Sequence, residues 1–303
     1  MYIKIGTRGS KLALWQAYHV EEKLKAAGAE TEVIIVHTKG DKIQDRSLSK
    51  IGSKGVFTEE LEEQLLDGTI DIAVHSAKDL QSDLGENFEI IAFLKREKVN
   101  DVLVSNKALS LNGDIIIGTS STRRVAMLNA FYPKVKIVDM RGNLQTRIAK
   151  MEKGDCDALL LAYAGVHRMD YHHLIQEVID EKIFTPAVGQ GSVAIEASVN
   201  LSKNKINLVR EACNDKDTEV CLKTERAFLK TVNGGCSIPV FGLAKLNEDK
   251  HIEFTAGIIN LDGTTVLRFS QTGTEPKVLG EAVGKELLEN GGKVILEDIR
   301  KKI

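Results

Sequence analysis

At 303 residues the chain is long enough for two or three domains, each with its own core. Its 43% hydrophobic and 28% charged residues are ordinary for a folded protein. The 41 basic and 43 acidic side chains nearly cancel, and aromatics make up only 5%, so a general nucleic-acid or anionic-membrane binder is disfavoured and any cationic site is local.

Met1 to Gly6 enters strand-like alternation directly, with no apolar signal core, and no apolar run approaches the ~18 residues of a membrane span. A cytoplasmic protein with reduced thiols is the expectation. Tyr2 to Ile5 reads as a strand, Gly6 to Ser10 as a turn, and Lys11 to Ala27 as a helix stopped by Gly28. Val33 to Val36 is a short strand. Lys39 to Gly55 is polar and Gly-containing, the pattern of a lid, a binding loop or disorder. A helix over Glu59 to Leu66 leads to strand Ile72 to Val74 and the loop His75-Ser76-Ala77-Lys78-Asp79.

The order then recurs. Asp114 to Ile117 is a strand, Gly118 to Arg124 a turn, and Val125 to Phe131 a helix. Strand Val135 to Val138, helix Leu144 to Met151 and strand Ala158 to Leu161 follow. Two α/β domains of similar build are predicted, with mostly parallel sheets and ligands at the carboxyl ends of the strands, their loops lining a shared cleft. Strand Val193 to Glu196 comes next, then helix from Lys203 to Val232 broken near Asn214-Asp215. A hairpin of His251 to Gly257 with Thr265 to Gln271, and a helix over Val278 to Glu289, complete a small α+β domain.

Arginines mark the strand-end turns: Arg8, Arg123, Arg124, Arg141, Arg147 and Arg168. A guanidinium fork matches a carboxylate, and helix N-termini add free N–H groups. Solvated ion pairs are the plain alternative for any one of them, but the repetition favours an anion site. No phosphate loop is present; several separate arginines suit a ligand with spaced carboxylates. Asp79, beside Lys78 and His75, reads equally as a general acid/base or as a cap of the next turn. Cys156, Cys213 and Cys221 have apolar settings. Cys236, in Asn233-Gly234-Gly235-Cys236, is either a functional thiol with room for close approach or ordinary packing. His167, His172 and His173 lack a partner pattern for zinc, and no metal is expected.

Together these stretches resemble the porphobilinogen deaminase (hydroxymethylbilane synthase) family. The likeness is carried by Gly6 to Gln16, Gly40-Asp41, His75 to Asp79, Gly118 to Arg124, Arg141 to Arg147, Pro186 to Gly191, Glu225 to Leu229 and Gly234 to Cys236. It implies two periplasmic-binding-protein-like α/β domains flanking a cleft, residues 1–95 with 190–212 and residues 99–187. A small C-terminal α+β domain with an antiparallel sheet, 213–303, is the third.

The resemblance further implies a dipyrromethane cofactor, held by a thioether to Cys236, onto which four porphobilinogen molecules are added with loss of ammonia. Asp79 matches the catalytic aspartate, assisting ammonia loss and stabilising the azafulvene. Arg8, Arg123, Arg124, Arg141, Arg147 and Arg168 match carboxylate-binding arginines, with Ser10, Lys78, Thr119 and Ser121 beside them. Gln16, Asp41, Lys50, Lys54, His75 and Ser76 match supporting positions, Lys50 and Lys54 lying in the polar loop that resembles the family's flap. A monomer is implied. The chain departs from the family at Leu80-Gln81, where a proline is usual, and at Lys95 to Asp101, which lacks the usual acidic pattern. A cytosolic carboxylate-binding or sensing module is the rival reading.

Overall fold

The computed structural model describes residues 1–38, 58–235 and 237–302. The chain divides into two compact units, Met1–Glu97 with Gly191–Val220, and Lys98–Gln190 with Cys221–Ile303.

In the first unit, β1 (Tyr2–Arg8) pairs in parallel with β2 (Glu30–Val36) and β3 (Ile72–Ser76). The order of its five-stranded sheet is β2-β1-β3-β10-β4, with β4 at Phe88–Phe93 and β10 at Val193–Ser198. Helix α1 (Lys11–Ala26) begins where Ser10 Oγ accepts the Ala13 N–H, and it gives way at Gly28, whose φ of 84° suits only glycine cheaply. Its Ala17, Val20 and Leu24 bury one sheet face with Ile3, Ile5, Ile72 and Ile195. Helix α2 (Glu59–Asp67) covers the other face through Leu61 and Leu65, over Ala73.

The second unit repeats this plan. Its sheet runs β7-β6-β8-β5-β9: β5 (Asp101–Val104), β6 (Ile116–Gly118), β7 (Lys136–Val138), β8 (Ala158–Ala162) and β9 (Ile175–Val178). Helices α3 (Thr122–Phe131) and α4 (Leu144–Glu152) join the parallel strands, and α5 (Tyr163–Arg168) follows β8.

The expectation of mostly parallel sheets needs correcting. β10 is antiparallel to β3 and β4, and β5 is antiparallel to β8 and β9, so each sheet is half antiparallel. In both sheets the antiparallel strand arrives from the other stretch of its discontinuous unit, or directly after a crossing, and no crossover helix fixes its direction.

Helices α6 (Lys203–Cys213) and α7 (Lys216–Thr231) are separated at Asn214-Asp215, where Asp215 accepts the Thr218 N–H at 2.8 Å. The second unit also holds the antiparallel sheet β11 (Val240–Leu246), β12 (Ile252–Ile259) and β13 (Val266–Gly273), with helices α8 (Pro276–Leu287) and α9 (Lys293–Lys302). Phe241 and Ile259 of this sheet share one buried cluster with Leu103, Met127 and Phe184. The β12–β13 turn meets α3 so closely that a Cβ on Gly263 would lie 2.5 Å from the Ala126 carbonyl oxygen.

Candidate active site

In the first unit the candidate residues collect at the carboxyl ends of β1 and β3. Arg8 closes β1 and is half-buried, and Ser10 spends its hydroxyl on capping α1. The last residues of β3 and the turn after it are tied down in succession. His75 Nε2 lies 2.9 Å from a Glu196 carboxylate oxygen, Gln16 Nε2 donates to Ser76 Oγ at 2.9 Å, and the Ala77 N–H donates to the Ser192 carbonyl at 3.0 Å. Lys78 and Asp79 follow in a single 3-10 turn, Lys78 half-buried and Asp79 exposed. Among the described residues the Asp79 carboxylate caps no turn, so the capping alternative finds no support. Asp41, Lys50 and Lys54 lie outside the described residues.

In the second unit the same edge of the sheet carries the rest. Thr119 is buried just past β6, and its hydroxyl accepts the Ser121 N–H at 3.3 Å. Ser121 caps α3, so the helix starts at Thr122, three residues earlier than the apolar spacing predicts. That early start places Arg123 and Arg124 in its first turn rather than in an open loop, and both are buried.

Their partner is Asp101 on β5. Arg123 Nη2 and Arg124 Nη2 each reach one of its carboxylate oxygens at 2.7 Å, Arg124 Nε adds 3.0 Å and Gln190 Nε2 3.1 Å. Arg123 Nη1 donates to the Thr185 carbonyl and Arg124 Nη1 to that of Leu160, both at 3.0 Å. Burial raises the Asp101 pKa, but the two guanidiniums override it and hold the carboxyl at about 2. Burial, with Arg124 beside it, lowers that of Arg123. Two guanidiniums against one carboxylate leave this cluster with an excess positive charge, and Arg123 Nε has no acceptor among the described residues.

Arg141 follows β7, its Nε 3.0 Å from Asp139, with about a quarter of its side chain exposed. Arg147 is half-buried on α4, and Arg168 is the half-buried last residue of α5. Gly142 permits the turn between Arg141 and α4, since its φ is 116° and a Cβ would meet Thr146 at 2.7 Å.

Cys236 itself is outside the described residues. Its neighbour Gly235 faces open space, with nothing within 4 Å of an added Cβ. The residues that lead into it are tied at two points: Gly234 N–H donates to the Leu229 carbonyl, and Arg300 Nη2 donates to that of Asn233 at 3.0 Å. Cys156, Cys213 and Cys221 are buried thiols outside any disulfide; burial raises the Cys156 pKa and pushes that of Cys213 up to about 12, so neither of those two offers a thiolate. Sequence reasoning missed Asp101 and Glu196. Their signal was a carboxylate inside an otherwise apolar strand.

The family model for the porphobilinogen deaminase dipyrromethane cofactor binding domain matches residues 3–205, and that for the porphobilinogen deaminase C-terminal domain matches residues 219–289. The porphobilinogen deaminase of Cytophaga hutchinsonii is 57% identical over 99% of this chain and 97% of that protein. That of Desulfosudis oleivorans is 49% identical over 100% and 99%. Among solved structures, the VFT2 domain of Bordetella pertussis BvgS overlaps 70% of this chain and 86% of that one, with a TM-score of 0.43 and 15% identity.

Proposed function

The chain belongs to the porphobilinogen deaminase family, and on that premise we propose which of its residues carry the reaction. It is a transferase of tetrapyrrole biosynthesis. Four porphobilinogen molecules, each losing ammonia, are joined to a covalently held dipyrromethane primer, and hydroxymethylbilane is released by hydrolysis.

The residues present fit such a group. Each pyrrole ring brings an acetate and a propionate, and the arginines at the strand ends supply the matching cations; the open space at Gly235 leaves room at the attachment loop. When bound, the dipyrromethane supplies the free α-carbon to which the first new ring is joined. Cys236 is its point of attachment in this reading.

Arg141, Arg147 and Arg168 from the second unit, and Arg8 with Lys78 from the first, bind ring carboxylates. Each charged hydrogen bond contributes roughly 1.5–3 kcal/mol. Arg123 and Arg124 leave a local surplus of positive charge around Asp101 while staying fixed by it. Asp79 delivers a proton to the aminomethyl nitrogen of porphobilinogen as ammonia leaves, then offsets the positive charge on the ring nitrogen. Its exposure at the end of a rigidly tied strand carries this assignment. Ser10, Thr119 and Ser121 position the arginine-bearing turns, with Gln16 and Ser76 bracing the Asp79 turn. Asp41, Lys50 and Lys54 are kept as supporting residues on the strength of the family motif.

The division into 1–95 with 190–212, 99–187 and 213–303 is retained as the functional one, and the enzyme acts as a cytoplasmic monomer. No helix among the described residues is long and apolar enough to cross a membrane.

Intact mass spectrometry tests the reading. The purified chain is expected to exceed its sequence mass by one dipyrromethane, an excess lost in Cys236→Ser and kept in Cys213→Ser. An active enzyme carrying no adduct would overturn it.

A further inference from the structure

The site described so far leaves a buried carboxylate without a role. Glu196 lies on β10 and its side chain is fully buried. The register pairs Ala194 with His75 and Glu196 with Ala73, so His75 and Glu196 are diagonal neighbours on one face of the sheet. It is the face that α2 covers, since Ala73 packs with Leu61 and Leu65 while Ile72, Val74 and Ile195 belong to the opposite core.

The one charged contact of Glu196 among the described residues is His75 Nε2, at 2.9 Å, and neither of its oxygens receives a well-directed hydrogen bond there. Glu62 of α2 is the third titratable group of this face: burial raises its pKa, and the charge of Glu196 raises it further, while His75 works in the other direction. Burying a carboxylate with so little compensation is expensive, whereas an apolar residue between Ile195 and Ala197 would pack at no such cost. The charge therefore serves something other than the core.

What it touches is the approach to Asp79. His75, Ser76 and Ala77 are held in turn by Glu196, Gln16 and Ser192, and two of those three ties lead to the same segment, β10 and the residue before it. We propose that Glu196 is a positioning residue for the reaction at Asp79: its carboxylate, 2.9 Å from His75 Nε2, favours the ring form protonated there, fixes that imidazole against β10, and so sets where the turn Ala77–Asp79 leaves the sheet. The inference rests on the assignment of Asp79 made above.

Long-range proton–nitrogen spectra of the cofactor-loaded full chain, with nitrogen-labelled histidine and the His75 signal assigned by its loss in His75→Gln, read the imidazole directly. In the wild type, His75 is expected to carry a proton on Nε2, the nitrogen that faces Glu196. Glu196→Met removes the acceptor and should lose that signature. Its kcat per adduct-bearing molecule should fall by about tenfold or more, with KM within about twofold, the scale seen when a group that orients an imidazole is removed. Glu196→Gln keeps an acceptor oxygen in the same place and should recover part of kcat. A wild-type His75 with bare Nε2, or a Glu196→Met enzyme with unchanged kcat, would overturn the proposal. If Glu196→Met does not fold, the wild-type spectrum decides alone. A wild-type chain with no adduct and no ammonia release would instead count against the family chemistry, and would leave the His75 signal as it stands.

Discussion

Asp101→Asn is the sharpest test of how the second unit holds its arginines. The carboxylate receives Arg123 Nη2 and Arg124 Nη2 at 2.7 Å, with Arg124 Nε and Gln190 Nε2 behind them. An amide has one oxygen to offer and turns an N–H₂ toward one of the guanidiniums. Two buried cations then face no anion, so the loss is that of breaking a buried pair, about 3–5 kcal/mol. The pH dependence makes an independent check. The folded-state pKa of Asp101 is about 2, below its ordinary 3.8. A depressed carboxyl contributes stability that is fully present above the unfolded value and is lost as pH falls through the folded one. For this group that window runs from about pH 4 down to about pH 2, and the contribution is about 2–3 kcal/mol. Guanidinium chloride unfolding followed by far-ultraviolet circular dichroism, at pH 7 and at steps below pH 4, measures both. An Asp101→Asn chain within 1 kcal/mol of wild type, with an unaltered acid limb, would refute the argument.

Asp79→Asn should leave a folded chain with its adduct mass in place and turnover nearly abolished, measured as ammonia release from porphobilinogen; substantial residual activity would remove Asp79 from its role. Gly263→Ala combines a left-handed φ of 82° with a Cβ 2.5 Å from the Ala126 carbonyl, so it should cost about 2–4 kcal/mol in chemical denaturation. Gly28→Ala, with a φ of 84° and open space around it, should cost only the ~1–2 kcal/mol backbone part. Equal losses would show that the turn does not press on α3.

Much of this was legible beforehand because the signals were local. The strand-to-turn-to-helix order, the stop at Gly28 and the break at Asn214-Asp215 each rest on a few adjacent residues. β4, β5, β9 and β11 escaped because they are short or lie in continuous apolar runs: Asp101-Val102-Leu103-Val104 shows no alternation. Strand direction escaped for a different reason. Nothing in the pattern of Val193 to Ser198 distinguishes a parallel from an antiparallel neighbour, and the side chains alternate alike in both. At the candidate site, motif order pointed to Asp79, Arg141 and Cys236 as the residues to propose. It did not indicate that Arg123 and Arg124 are buried, because the acid that neutralises them lies 22 and 23 residues away on β5.

The cluster shared by Phe241, Ile259, Met127 and Phe184 has a further consequence for how this protein can vary. The segment bearing the attachment loop is not a cassette. Grafting residues 213–303 from a relative onto this chain would bring in one half of a packed interior without the other. Exchange between relatives should then succeed only when α3 and the Phe184 region travel with the graft, which ties the inheritance of the proposed anchor to that of the helix whose first turn carries Arg123 and Arg124.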